Sequence, residues 1–344
     1  MEERMSRVVT FGEIMMRLNP DGYMELLQAP SLNISFAGGE ANAAVSIANF
    51  GMDVDFVTKL PENVLGKRAA MELRKYGVEV NKIVYGGPRL GTYFVEKGVS
   101  QRPVKVLYDR QNSSISLAKR SDFDWEKILE GASWFHFTGI TPALGGECVE
   151  ICKDALKVCK KKNITVCCDI NYREKLWTKE AAGKVMTELL KYVDVCLINE
   201  GQAKDVLGIH GKYEDEGTEE HRKENCRSVA EQVADRFGCK IVAATLRTSI
   251  SASVNGWSGM LYTNGEAYYS ADYKFEIVDR LGGGDSFAGA LIYSLASGYD
   301  PKKTIEFATA ASCLKHTIEY DYNLSTIEDV NLLIQNGNKG FVQR

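Results

Sequence analysis

The stretch Val278-Asp279-Arg280-Leu281-Gly282-Gly283-Gly284-Asp285 carries the densest chemistry in the sequence. Three glycines run into a carboxylate, and a helical pattern then follows from Ser286 to Leu295. Glycines here admit positive φ and close backbone approach. A glycine turn opening a helix aims several N–H groups at one spot, with the positive end of the helix dipole behind them. Such a nest holds an anion, most often a phosphate. A carboxylate beside it repels that phosphate. Asp285 therefore reads either as a base for a hydroxyl attacking the phosphate or as an ordinary N-cap after a glycine turn. Two other phosphate motifs are excluded. A Walker A loop needs Lys and Ser/Thr after its second spaced glycine, where Ala290 follows Gly289, and a dinucleotide fingerprint needs glycine where Phe287 stands.

Other residues carry chemistry by type and spacing. Gly38, Gly39 and Asn42 lead into a helix of small residues (Ala41, Ala43, Ala44, Ser46, Ala48), which lets a ligand reach the backbone and the helix lie close to a sheet. Tyr93, Tyr108 and Arg110 fall in one tyrosine-rich extended segment. Tyr-x-Arg in a strand puts both side chains on one face, and the planar guanidinium suits a carboxylate; a solvated edge arginine is the plainer reading. Asp169-x-Asn171-x-Arg173 stands at the carboxyl end of an apolar strand, where Arg173 can bridge substrate and a moving phosphoryl group. Asn199 also ends a strand, and Thr245-Leu246-Arg247 continues into a polar run to Ser253 that suits a nucleotide.

The elements that must position these residues alternate. Short apolar strands read at 7–12, 54–59, 133–137, 164–169, 193–198 and 240–245. Helical patterns read at 40–50, 62–76, 147–162, 181–191 and 226–237, with a final helix from Pro301 to His316. Unalternating strands separated by amphipathic helices mean a parallel sheet covered on both faces, with ligands at the carboxyl ends of its strands. Two segments, 17–36 and 86–112, are long and β-like and leave this rhythm. Residues 208–224 read as a solvated loop, and Asn264-Gly265 as a type I′ hairpin turn. The chain has 344 residues, 44% of them hydrophobic, and a net charge of −4. No basic stripe points to nucleic acid, and no apolar run is long enough for a membrane span. The start at Met1–Arg7 lacks the apolar core of a signal peptide. Nine cysteines without a CxxC read as buried hydrophobes in a reducing compartment.

Gly38-Gly39-Glu40-Ala41-Asn42-Ala43-Ala44, closed by Gly51, and the Asp279–Asp285 run resemble the two signatures of the ribokinase-like (PfkB) sugar kinases, in that family's order. The resemblance covers roughly residues 7–330. It implies one α/β domain over 1–344, with a mostly parallel central sheet, helices on both faces and a small β-sheet lid made by the two excursions. It implies ATP and Mg²⁺ and leaves room for a monovalent cation near Asp279. By the same resemblance Asp285 is the base, and the backbone from Gly282 through Gly283 and Gly284 is the anion hole. Gly38, Gly39 and Asn42 hold sugar hydroxyls, and Arg173 spans substrate and phosphate. Asn171, Asn199, Thr245 and Arg247 face ATP. His316, Asp321 and Asn323 match the nucleotide and substrate edge more loosely.

The Tyr and Arg spacing looks like that of the 2-keto-3-deoxygluconate kinases of the family, where the matching Tyr and Arg hold the sugar acid. The implied activity is ATP-dependent phosphorylation of the terminal hydroxyl of that acid. A fructose or ribose kinase is the alternative, and a non-catalytic sensor the remoter one. Two departures stand out. Gln202 replaces the family's Glu in Asn-x-x-Glu, so no metal ligand is assigned, and Arg247 replaces the Gly of Thr-Leu-Gly. The resemblance also implies a cytoplasmic homodimer or higher oligomer joined through the lids.

Overall fold

The computed structural model describes residues 6–214 and 217–337. The sequence before residue 6 and residues 215–216 of the polar insertion lie outside them. Among the described residues fifteen strands form: β1 Val8–Phe11, β2 Met15–Asn19, β3 Asn33–Ala37, β4 Val54–Val57, β5 Lys59–Leu60, β6 Val84–Tyr85, β7 Thr92–Glu96, β8 Lys105–Asp109, β9 Trp134–Thr138, β10 Thr165–Asp169, β11 Val195–Leu197, β12 Ile241–Ser249, β13 Val254–Thr263, β14 Glu266–Tyr269 and β15 Tyr273–Glu276. The main sheet runs β14-β13-β12-β11-β10-β9-β1-β4, with β15 paired to β13. From β4 to β12 every pairing is parallel, and β13 to β15 add an antiparallel edge. This is the expected α/β architecture.

Each face of the sheet is covered. One core packs the Cys148–Lys162, Lys179–Leu189 and Glu219–Phe237 helices through residues such as Ile151, Met186 and Val229. The other packs the Gly39–Asn49, Val64–Lys75, Gly283–Ala296 and Pro301–Lys315 helices through Val45, Leu73, Phe287 and Phe307. Burial of such side chains stabilises by about 1.5–3 kcal/mol each. The nine cysteines are all buried and free, as their apolar reading requires.

Chain order reverses at β1: β4 lies on one side of it, and β9, β10, β11 and β12 follow on the other. A crevice at such a switch, outside the carboxyl ends of the strands, is where open α/β sheets bind ligands. Residues after β1, β9 and β10 gather there: Glu13, Ile140, Asn171 and Arg173 line one cavity.

The two excursions form a separate four-stranded sheet in the order β3-β2-β7-β8. Its registers align Ser35, Arg17, Tyr93 and Tyr108 in one rung, and Ile34, Leu18, Phe94 and Leu107 in the next. Alternation along a strand sends consecutive rungs to opposite faces. The first rung faces the crevice and the second faces outward. Leu107 and Ile34 are 61% and 58% exposed.

Several boundaries differ from the sequence reading. The Glu219–Phe237 helix begins well before 226, because Thr218 caps it by accepting from the His221 N–H; the solvated loop is correspondingly shorter. The helix from Pro301 is not the last, since Ile327–Asn336 follows with a Thr326–Asp329 capping box. The turn at Asn264-Gly265 is as expected, with φ of 51° and 81°.

Candidate active site

The glycine run is itself helical. The helix spans Gly283–Ala296 with Gly282 as N-cap, so Gly283, Gly284 and Asp285 make its first turn. Asp285 is therefore the third helical residue and not the N-cap, which corrects that alternative. The N–H groups of this turn have no carbonyl of their own helix to bond and face outward with the dipole behind them. Gly282 is required twice over: its φ is 81°, and a Cβ there would collide with the Asp321 carbonyl.

Asp285 is placed by a crossing of small residues. A Cβ at Gly289 would lie 2.7 Å from the Ser46 Cβ and 2.8 Å from the Ala43 carbonyl oxygen, so the Gly283–Ala296 and Gly39–Asn49 helices touch through their backbones. That approach lets Asn42 Nδ2 donate to Asp285 Oδ2 at 2.7 Å, while Asn42 Oδ1 accepts from the Gly38 N–H at 3.2 Å. Burial pushes the Asp285 carboxyl up to about 6 and the Asp321 charge adds to this, while the Asn42 hydrogen bond and the charges of Arg173 and Lys315 oppose it. A carboxylate tuned toward neutrality suits a general base. Asp169, at the end of β10, is pushed up to about 7 by burial and by the Asp285 charge.

Around Asp285 lies a cavity of about 100 Å³, lined among others by Gly39, Asn42, Tyr93, Tyr108, Arg110 and Arg173. Gly38 and Gly282 also border it. The lid supplies the opposite wall. Tyr93 donates to Asp321 Oδ1 at 3.0 Å, and its ring stacks on Tyr108 at 5.9 Å. Arg110 lies 5.5 Å over the Tyr108 ring. Its fork is partly engaged, however, which the sequence did not suggest: Nε donates to Glu13 Oε2 at 2.8 Å, and Nη2 donates to the same oxygen. Glu13 follows β1, and its other oxygen, Oε1, is buried without a partner beside this cavity. Asn171, read as facing ATP, lines the same cavity as Arg173. It adopts a φ of 39° because its N–H turns back to Asp169 Oδ1 at 3.0 Å.

The residues that the sequence places toward a nucleotide separate into two groups. Asn199, Glu200, Thr245, Arg247 and Trp257 line a second cavity of about 310 Å³ at the ends of β11 and β12. Asn199 and Gln202 form a reciprocal capping box, so Gln202 is a helix cap. Arg247 is exposed, with Nε donating to Ser249 Oγ at 3.1 Å. His316 and Asn323 are instead buried. His316 caps its helix, with Nδ1 2.7 Å from the Ser312 carbonyl oxygen, and packs on Trp257 and Phe275; burial pulls it down to about 4. Asn323 Oδ1 accepts from the Ser325 N–H. Both shape the site from behind.

Three residues here escaped the sequence reading as site residues: Glu13, Arg17 and Lys315. Arg17, on β2, is fully buried and reaches both Asp279 and Asp321 at 2.6 Å. Burial works against its charge, but the Asp321 and Asp279 carboxylates more than offset this and hold its pKa above the usual range. The only available signal was an arginine in an otherwise apolar β segment, Met15–Leu18.

Known proteins bear on this geometry. A crystal structure of 2-dehydro-3-deoxygluconokinase from Thermotoga maritima superposes with a TM-score of 0.93 at 52% identity, over 96% of this chain and all of that one. A 2-dehydro-3-deoxygalactonokinase of Haloferax volcanii is 30% identical over 97% of this chain and 98% of its own length. A 2-dehydro-3-deoxygluconokinase of Thermoproteus tenax is 26% identical over 91% of this chain and 89% of its own. The family model described as pfkB family carbohydrate kinase matches residues 5–323, and the chain belongs to the PfkB family of carbohydrate kinases.

Proposed function

We propose that this kinase transfers the γ-phosphoryl group of ATP to the terminal hydroxyl of 2-keto-3-deoxygluconate. The observation that carries this reading is the opposition of Asp285, at the anion hole, to a lid wall of Tyr93, Tyr108 and Arg110 across one small cavity. The names of the Thermotoga maritima and Thermoproteus tenax relatives support it. Arg110 binds the sugar carboxylate through guanidinium N–H groups that Glu13 does not use. Asn42 and the Gly38–Gly39 backbone hold hydroxyls, and Asp285 takes the proton from the terminal hydroxyl as it attacks. The N–H groups of Gly283, Gly284 and Asp285 and the Arg173 side chain stabilise the phosphoryl group in flight.

ATP lies along the cavity at the ends of β11 and β12. Mg²⁺, when bound, neutralises the β- and γ-phosphates. In kinases it keeps several waters and is held largely through those phosphates, which fits a groove whose lining carboxylate is Glu200 and whose Gln202 is a neutral cap. The exposed outer rung of the lid supports a homodimer, since a small sheet with two apolar faces needs a partner for one of them. Phe36 and Tyr93 of the lid are buried inside the protomer and take no part in that contact. Cytoplasmic residence fits the nine free, buried cysteines.

The test is steady-state turnover with ATP over 2-keto-3-deoxygluconate, its galactonate epimer, fructose and ribose. The epimer belongs in the panel because the Haloferax volcanii relative is a 2-dehydro-3-deoxygalactonokinase. The gluconate-derived acid is expected to exceed fructose in kcat/KM by about 10-fold or more, because a site built around a charged partner rejects a ligand lacking it. An enzyme that prefers fructose refutes the proposal.

A further inference from the structure

Lys315 ends the Pro301–Lys315 helix with its side chain fully buried, and nothing in the phosphoryl transfer uses it. A buried ammonium is costly unless it is paired or hydrogen-bonded. Its Nζ donates to the Asp279 carbonyl at 3.2 Å and to the Ile318 carbonyl at 3.4 Å. These oxygens belong to two different loops. Asp279 begins the turn that runs through Gly282 into the anion hole, and Ile318 lies in the turn that leads to Asp321, whose carbonyl presses on Gly282. The ammonium thus ties together the two loops that shape the helix N-terminus under Asp285.

This is also where the family resemblance leaves room for a monovalent cation. The residues present do not fit one. Asp279 Oδ1 accepts from the Leu281 N–H at 3.2 Å, Oδ2 is held by Arg17 at 2.6 Å, and the carbonyl is held by Lys315. Every oxygen of Asp279 is therefore engaged, and two positive side chains already stand beside it. A compact monovalent ion held by backbone carbonyls and a lysine ammonium held by the same atom type make equivalent demands, since the ammonium is itself a compact point charge.

We propose that the Lys315 ammonium is a built-in cation that bridges the Asp279 and Ile318 carbonyls, sets the Gly282–Asp285 anion hole, and makes turnover independent of added K⁺ or Na⁺. Lys315 is a positioning residue: it touches none of the reacting atoms and acts on them through these loops and through its charge, which favours the ionised form of Asp285. The proposal rests on the assignment of Gly282–Asp285 as the anion hole and not on which sugar is used.

The test compares wild type, Lys315→Ala and Lys315→Met in K⁺, ammonium and tetramethylammonium salts at fixed ionic strength, reading turnover and thermal midpoint. Wild-type turnover is expected to agree within about 2-fold across the salts, well inside one 1.4 kcal/mol decade, with no cation-specific shift in midpoint. Saturable activation of the wild type by K⁺ overturns the proposal. Losing two charge-assisted hydrogen bonds should lower Lys315→Ala turnover in tetramethylammonium by about 10-fold or more. The space left should then let K⁺ or ammonium restore much of that loss and raise the midpoint. A folded Lys315→Ala that neither cation improves overturns it. Should Lys315→Ala not fold, Lys315→Met decides: it fills the stem without the charge, and wild-type turnover there overturns the proposal, while a loss of about 10-fold supports it. The midpoint measurement needs no sugar, so failure of the substrate proposal leaves this inference separately testable.

Discussion

Asn42→Ala is the sharpest probe of how the base is tuned. Burial and the Asp321 charge hold Asp285 up at about 6, and the 2.7 Å bond from Asn42 is the largest influence acting the other way. A hydrogen bond to a charged group contributes about 1.5–3 kcal/mol, and one pKa unit corresponds to about 1.4 kcal/mol. Removing it should raise Asp285 by about one to two units. Arg173 and Lys315 still favour the ionised form, so the lower end is expected. A base works only when ionised, so kcat/KM falls as pH drops through its pKa in the free enzyme. The acidic limb of the profile should therefore move from about pH 6 to about pH 7 in the variant, and the ionised fraction at pH 7 from about nine-tenths to about half. The assay is kcat/KM with ATP saturating and the sugar acid well below KM, across the pH range at constant ionic strength. Asn42 is also proposed to hold a sugar hydroxyl, so a lower plateau is expected and decides nothing. A limb that stays in place while the plateau falls refutes the tuning role and leaves Asn42 as a sugar ligand alone.

Asp285→Asn should lower turnover by about 10²-fold or more, with near wild-type turnover refuting the assignment. It should also raise the thermal midpoint at pH 7: a folded-state pKa above the unfolded one favours the fold below about pH 4, and that contribution is lost as pH rises through about 6. Arg110→Ala should reduce kcat/KM for 2-keto-3-deoxygluconate by about 10- to 100-fold, toward the upper end because the Glu13 charge it leaves behind repels the acid, while fructose changes much less; equal losses on both would refute the carboxylate contact. Wild type should sediment as a dimer at micromolar concentration and Leu107→Asp should weaken it, whereas a wild-type monomer would contradict the lid interface.

The sheet was legible because parallel strands buried on both faces read as apolar runs, and the helices between them keep their period. That a helix starts at the glycine run was legible because glycines there open a turn and a helical pattern follows. Its register was not: the glycine run suggested a turn before a helix, whereas Gly283 and Gly284 are the helix, and only the φ of Gly282 shows where the turn ends. Arg110 was visible and its partner was not, because Glu13 stands 97 residues away and meets it only when the lid folds over β1. Lys315 and Arg17 were hidden for a common reason. Charged residues in a helix end and a β segment ordinarily face water, and only the tertiary arrangement closes two loops and a lid strand around them.

Arg17 also bears on which part of the lid can move. Its guanidinium joins β2 to Asp279 at the start of the glycine turn and to Asp321 beside the cavity around Asp285. Tyr93 on the neighbouring β7 adds a bond to the same Asp321. Separating β2 from these carboxylates would strand buried charges, a disruption of about 3–5 kcal/mol when one partner of such a pair is removed, a large share of the stability of an ordinary domain. The inner strands are therefore part of the rigid floor. The edge strand β8 itself carries no such tie: Leu107, Tyr108 and Asp109 are exposed, and the Arg89–Asp109 pair at its end is exposed as well, where water screens it. Adjustment to a bound sugar then falls on β8, while Arg110 just beyond it, the residue proposed to read the substrate's charge, is held to Glu13 in a pair only 11% and 2% exposed. The lid is thus divided between an edge strand that can yield and the elements that Arg17 and Arg110 hold by ion pairs, which cannot.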